Sequence, residues 1–180
     1  MKAAVIGWCC RVIGMLAVLA GSCGLANAGE EATVKAFAAW MGDGRTFQTG
    51  AKEATFIGDF AGPMFVETPQ GMVKTGRLLC PAIVEIGLDD GKQRGEGRCT
   101  ITAPDGARIF AEITCTGVHI VGCDGELKLT GGTDRFTGIT GGGKVTIRSD
   151  LRQIGASSEG SVKEDASGSL ILPELHYKIP

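Results

Sequence analysis

The sequence predicts an all-β protein, an antiparallel closed barrel of about eight strands, and three observations carry that expectation. Apolar and polar residues alternate with period two along most of the chain after Thr46, as strands with one buried face require. Glycine makes up 29 of 180 residues, about twice ordinary usage, so the chain is built to bend often. No stretch between the candidate strands reads as a crossover helix, which argues for hairpin-linked, antiparallel neighbours. A two-sheet sandwich also fits these observations; closure is the economical way to remove both sheet edges.

Taken in order, Met1-Lys2, Arg11, the apolar run Val12 to Ala20 and the small-residue end Ala26-Asn27-Ala28 read as a secretory signal peptide cleaved before Gly29. Residues 29–180 then form one domain. The apolar run is too short, and too close to Arg11, for a membrane span, which takes about 20 apolar residues. Cys23 lacks the leucine three residues upstream that lipoprotein processing expects. In Glu30 to Met41, the spacing of Val34, Phe37, Ala38 and Met41 suits a short N-terminal helix or an irregular lead-in closing one barrel mouth. Ala54 to Phe60 and Pro63 to Glu67 read as two strands of a hairpin around Ala61-Gly62, with a turn at Pro69-Gln70-Gly71. Gly76 to Gly87 and Gly97 to Ala103 follow, and Pro104-Asp105-Gly106 has the composition of a tight turn leading into Ala107 to Thr116. Gly125 to Thr130 and Lys144 to Leu151 come next. Gly155 to Gly168 reads as an exposed polar loop before a last strand, Ser169 to Ile179.

The segment Leu127 to Ser149 organises the rest. Leu127 and Leu129 alternate with polar neighbours, as do Val145 and Ile147, and between them lie Gly131-Gly132 and Gly141-Gly142-Gly143. Such glycines supply positive φ and sharp corners, with Phe136 and Ile139 placed to plug the end of the core. The run Gly131, Gly132, Thr133, Asp134, Arg135, Phe136, Thr137, Gly138, Ile139, Thr140, Gly141 resembles the glycine-rich turn of allene oxide cyclase and dirigent-type β-barrels. It is more similar still to that of small secreted bacterial proteins with such a barrel and no assigned activity. It departs at Asp134, where that family usually has glycine; Asp tolerates the left-handed conformation better than most residues. The resemblance implies the closed barrel and a structural turn. It assigns no reactive group, because in that family those groups line the pocket elsewhere and no residue here matches them one by one.

Loss of Lys2 and Arg11 with the leader moves the formal net charge from −2 to about −4, leaving no basic patch for nucleic acid or an anionic membrane. A domain of about 150 residues buries roughly 68–70% of its extended-chain surface, enough for a real core. Cys9, Cys10 and Cys23 leave with the leader. Cys80, Cys99, Cys115 and Cys123 remain, an even number expected to form disulfides in a periplasmic or extracellular setting. Folding back around Asp89-Asp90 sets Cys80 opposite Cys99, and a tight return around His119 sets Cys115 opposite Cys123, separations a disulfide can bridge. No Cys-x-x-Cys pair points to zinc, and no metal or cofactor is expected.

Gly138 to Val145 is one residue short of a phosphate-binding loop: Val145 lacks the hydroxyl that magnesium needs, and the run enters a strand instead of a helix. The acid–base inventory is His119, expected solvent-exposed in its loop, and His176 beside Tyr177, expected structural, with Glu85, Glu112 and Glu126 on the strand faces opposite the apolar sets. Phe56, Phe60, Phe65, Phe110 and Phe136 are the large aromatics of the strands and turns, amid much Ala and Gly. That composition suits either a cavity or a tightly wound core. Three function classes follow. One is an envelope barrel that binds a small apolar ligand or a protein partner, alone or as a homo-oligomer. The second is a cyclase- or isomerase-like enzyme with an apolar pocket, and the third is an envelope inhibitor or assembly protein using its loops. An open apolar cavity separates the first two from the third, and convergent polar groups inside it favour the second.

Overall fold

The computed structural model describes residues 29–156 and 160–180; Met1 to Ala28, with the expected leader and Cys9, Cys10 and Cys23, lie outside the described residues. Eight strands follow one another: β1 (Glu30–Gln48), β2 (Glu53–Thr68), β3 (Gly71–Gly87), β4 (Lys92–Thr102), β5 (Arg108–Val118), β6 (Gly122–Gly132), β7 (Thr140–Ala156) and β8 (Ser161–Ile179). Each pairs antiparallel with the next, and β8 returns to pair with β1, closing the barrel. At the seam the Tyr177 hydroxyl donates to Glu30 at 2.6 Å. The hydrogen bond to that carboxylate, helped by burial, pushes the phenol up to about 12.

Three expectations change. Glu30 to Met41 is neither helix nor lead-in but the first part of β1. Ala36, Ala38 and Trp40 point inward on a period of two, while Met41 stands exposed outside. The same Ala-rich stretch fits both periods, and pairing with β2 and β8 decides between them. The hairpin at Ala61-Gly62 does not form, because β2 runs unbroken from Glu53 to Thr68. Gly62 instead marks a close approach: a Cβ there would lie 1.8 Å from the Ala39 carbonyl oxygen. Pro63, which has no N–H to give, sits in a gap of the β1–β2 pairing between Ala38↔Met64 and Met41↔Ala61, across which the register is kept. The exposed loop Gly155 to Gly168 is mostly strand, since β7 extends to Ala156 and β8 begins at Ser161.

The β6–β7 connection holds a 3-10 turn, Asp134–Phe136, with Asp134 in the left-handed region at φ 54°. Thr133 fastens it to β5: its N–H donates to the Arg108 carbonyl at 2.8 Å, and its hydroxyl accepts from the Arg108 N–H at 3.0 Å. Arg135 reaches Asp105 in the β4–β5 turn at 2.8 Å. Gly141 has φ 134°, and a Cβ there would meet the His176 carbonyl oxygen at 2.1 Å. Gly131 and Gly142 also have positive φ; Gly132 and Gly143 do not, and are small for another reason, the backbone packed against them.

The barrel interior has two unlike ends. At the end capped by this turn, Ile139 is fully buried and Phe136 packs on the core. Beneath them Leu78, Leu127, Leu172 and Val145 fill the bore as its most buried large side chains, each worth about 1.5–3 kcal/mol of transfer free energy. The other end is ringed by the β1–β2, β3–β4 and β5–β6 connections, and there Gly42, Ala82, Gly95 and Gly97 leave space beside larger inward side chains.

Candidate functional site

A cavity of about 100 Å³ opens into that second end. Leu78, Ile113 and Leu170 form its floor, and on one wall Trp40, Phe60 and Phe56 form a connected aromatic group. Trp40 meets Phe60 edge-on with centroids 4.9 Å apart, and Phe60 stacks on Phe56 at 6.0 Å, geometries worth about 0.5–1.5 kcal/mol beyond burial. Small residues seat these rings. The Phe56 ring lies where a Gly44 side chain would be, and Trp40 lies over Gly168. Opposite, β4 presents Gly95 and Gly97 inward, so the bore stays open where leucines would have filled it.

Both disulfides line this cavity. Cys80 and Cys99 are joined with Cα atoms 4.1 Å apart, and Cys115 and Cys123 with Cα atoms 5.6 Å apart. The second pair is not directly opposite, contrary to the expected register. Cys115 faces Gly125 and Cys123 faces Gly117, so the bridge runs diagonally across β5–β6. Gly117 and Gly125 leave room for it, each having the facing cysteine's Cα within 2.6 Å of where a Cβ would stand.

Polar groups converge at the rim. His119, expected to be solvent-exposed, is instead turned inward with its side chain only 23% exposed. Its Nε2 lies 3.2 Å from Oε2 of Glu164 and its Nδ1 lies 3.2 Å from Oε1 of Gln93. Gln93 in turn donates to the Gly122 carbonyl at 3.3 Å, and the Thr46 hydroxyl donates to Glu164 at 2.6 Å. The chain Gln93, His119, Glu164, Thr46 thus spans the mouth from β4 to β1. Burial opposes ionisation of Glu164, yet the hydrogen bonds from His119 and Thr46 outweigh it and hold the carboxyl below its ordinary value. The residue that follows His119 is strained: Ile120, β-branched, lies at φ 60° and lines the cavity. Such a conformation costs on the order of 1–3 kcal/mol and persists only where its surroundings impose it. Here the His119 N–H donates to Gly91 and the Val121 N–H to Val118.

The remaining sequence candidates lie elsewhere. His176 is on the outer surface of β8, its Nδ1 2.6 Å from the Thr33 hydroxyl. Glu85 and Glu126 are exposed and Glu112 half-exposed, all facing away from the bore. Lys144 is exposed on β7, with no helix following the glycines. Gly131, Gly132, Thr133, Phe136, Gly138 and Gly141 belong to the closed end, remote from the cavity. No group of metal-ligating side chains gathers among the described residues. Sequence reading missed Glu164 altogether, because its polar neighbours Lys163 and Asp165 disguise an inward strand position as part of a loop.

No family model matches the chain, and no curated protein matches it. Among solved structures, a pterocarpan synthase dirigent protein is similar at 12% sequence identity over 80% of this chain and 89% of that chain, with a TM-score of 0.33. The barrel topology here rests on this chain's own strand pairing.

Proposed function

We propose that the protein is an exported barrel that takes a small, largely apolar molecule into the open half of its bore. The observation that carries this reading is the mainly apolar cavity, floored by leucine and isoleucine and bordered by the polar groups of the rim. Two disulfides are consistent with a periplasmic or extracellular location, and the leader-like residues 1–28 supply the route. The test is a cavity-filling variant. A Cβ at Gly97 would make only ordinary contacts, at 3.5 Å and beyond, so Gly97→Leu is expected to fold within about 1 kcal/mol of the parent. It should nonetheless lose uptake of an apolar fluorescent probe that the parent binds. Equal uptake by both proteins refutes the cavity as the binding site. The mature chain is expected to begin at Gly29 on N-terminal sequencing of exported protein.

A cyclase- or isomerase-like enzyme is the second reading, favoured by one observation: His119 and Glu164 meet at the rim as a pair able to give and take a proton. A binder returns its ligand unchanged and an enzyme does not, so the mass and retention of recovered ligand separate the two.

A further inference from the structure

We propose that the ligand of this cavity carries a cationic amine, held between the Glu164 carboxylate and the aromatic faces of Trp40, Phe60 and Phe56. The proposal rests on the reading of the cavity as a ligand site and names the chemistry it selects. Aromatic residues are only 6% of the chain, yet three of them converge on one cavity that Glu164 also lines. Glu164 sits across the β1–β8 pairing from Gly44, the residue whose missing side chain seats the Phe56 ring. The carboxylate and the aromatic wall therefore adjoin. A buried carboxylate beside aromatic faces is the combination that stabilises an organic ammonium, by charge-assisted hydrogen bonding on one side and attraction to the ring quadrupoles on the other.

Glu164 has the capacity for such a guest. Its residue is 9% exposed, and of about four acceptor positions on a carboxylate, Thr46 and His119 supply two donors. A donor on a guest in the cavity, which Glu164 lines, takes one of the two positions left. Anionic guests are disfavoured, since a second carboxylate would face Glu164 in a low-dielectric bore. A neutral guest gains the apolar burial and forgoes the ion pair. The cavity volume limits the apolar part that can enter to about one ring.

Three one-ring probes that differ chiefly in charge decide the matter: benzylamine, benzyl alcohol and benzoate, titrated by calorimetry and by the fluorescence of Trp40, the only tryptophan among the described residues. Benzylamine is expected to bind about tenfold or more tightly than benzyl alcohol, with benzoate weakest. In Glu164→Gln the ratio of amine to alcohol affinity should fall to within about threefold. If that variant does not fold, Phe60→Leu, which keeps an apolar wall and removes a ring, should lower the same ratio several-fold. Equal binding of amine and alcohol by the parent overturns the cationic assignment and leaves the apolar-ligand reading standing. A preference that survives both substitutions, or that persists in Gly97→Leu, places the amine outside this cavity and overturns the assignment too. Failure of all three probes overturns both readings together.

Discussion

The two halves of the bore are built by the same eight strands with the same inward alternation, and they differ in which side chains point inward. Towards the glycine-rich turn the inward series reads Leu78, Leu127, Leu172, Val145. Towards the His119 end Gly42, Ala82, Gly95 and Gly97 leave space among the aromatic rings, Val84, Ile86 and the two disulfides. Backbone architecture therefore does not decide whether a small barrel is solid or hollow; side-chain volume at a handful of inward positions does. The glycines of the closed end serve the path of the chain, whereas Gly95 and Gly97 keep space empty.

The closed end is least tolerant of change at Gly141. Its positive φ, with backbone where a Cβ would stand, makes Gly141→Val the most damaging change expected, at more than about 4 kcal/mol or with loss of the folded state. Thermal and denaturant melts read it. Next is Leu172→Ala in the filled half, expected to cost about 2–5 kcal/mol in a denaturant melt; the contrast with the mild Gly97→Leu in the hollow half measures the difference between the two ends directly. If the two changes cost the same, the halves are not distinct.

Acid sharpens the comparison at the rim. The Glu164 carboxyl lies below its ordinary value of 4.5 in the folded protein. Its contribution to stability is accordingly present above the unfolded value and lost as pH falls through the folded one. The stability difference between the parent and Glu164→Gln should be at its full size above the ordinary carboxylate range and shrink as pH falls through it. Asp90, Asp105 and Asp124 are also held low, chiefly by hydrogen bonds from Lys92, Arg135 and Thr146 respectively. They are exposed, common to both proteins, and cancel in the difference. A difference that grows in acid contradicts this account. The smallest effect is expected at Lys144. Lys144→Ala should change stability by no more than about 0.5 kcal/mol, and ATP with magnesium should shift the melting temperature of neither protein.

Much of the barrel is legible in its strand rhythm, because period-two alternation and turn composition are local signals. The misreadings fell where a local signal served two structures. Val34, Phe37, Ala38 and Met41 suit a helix as well as a strand, and only pairing with β2 and β8 chooses. Ala61-Gly62 has the composition of a turn, but a glycine forced by close backbone approach looks the same in sequence as one that bends the chain. The site was harder still. Glu164 has no distinctive neighbourhood along the chain, and its partner His119 is 45 residues away. What makes them a pair is the barrel's curvature, which carries the β5–β6 turn across the mouth to β8.

The closing seam has a consequence for the order in which the protein assembles. Every pairing but one joins neighbours along the chain, and both disulfides bridge short separations, of 19 and 8 residues. The exception is β1 with β8, where Glu30 and Tyr177 meet across 147 residues. Hairpins and their staples can form while the chain is incomplete, but the ring stays an open sheet with two bare edges until its last strand arrives. Contacts of such separation are slow to form, and an open sheet with exposed edges invites mispairing. The interval before closure is thus when this molecule is most vulnerable to aggregation, and the first and last strands, not the staples, set how long that interval lasts.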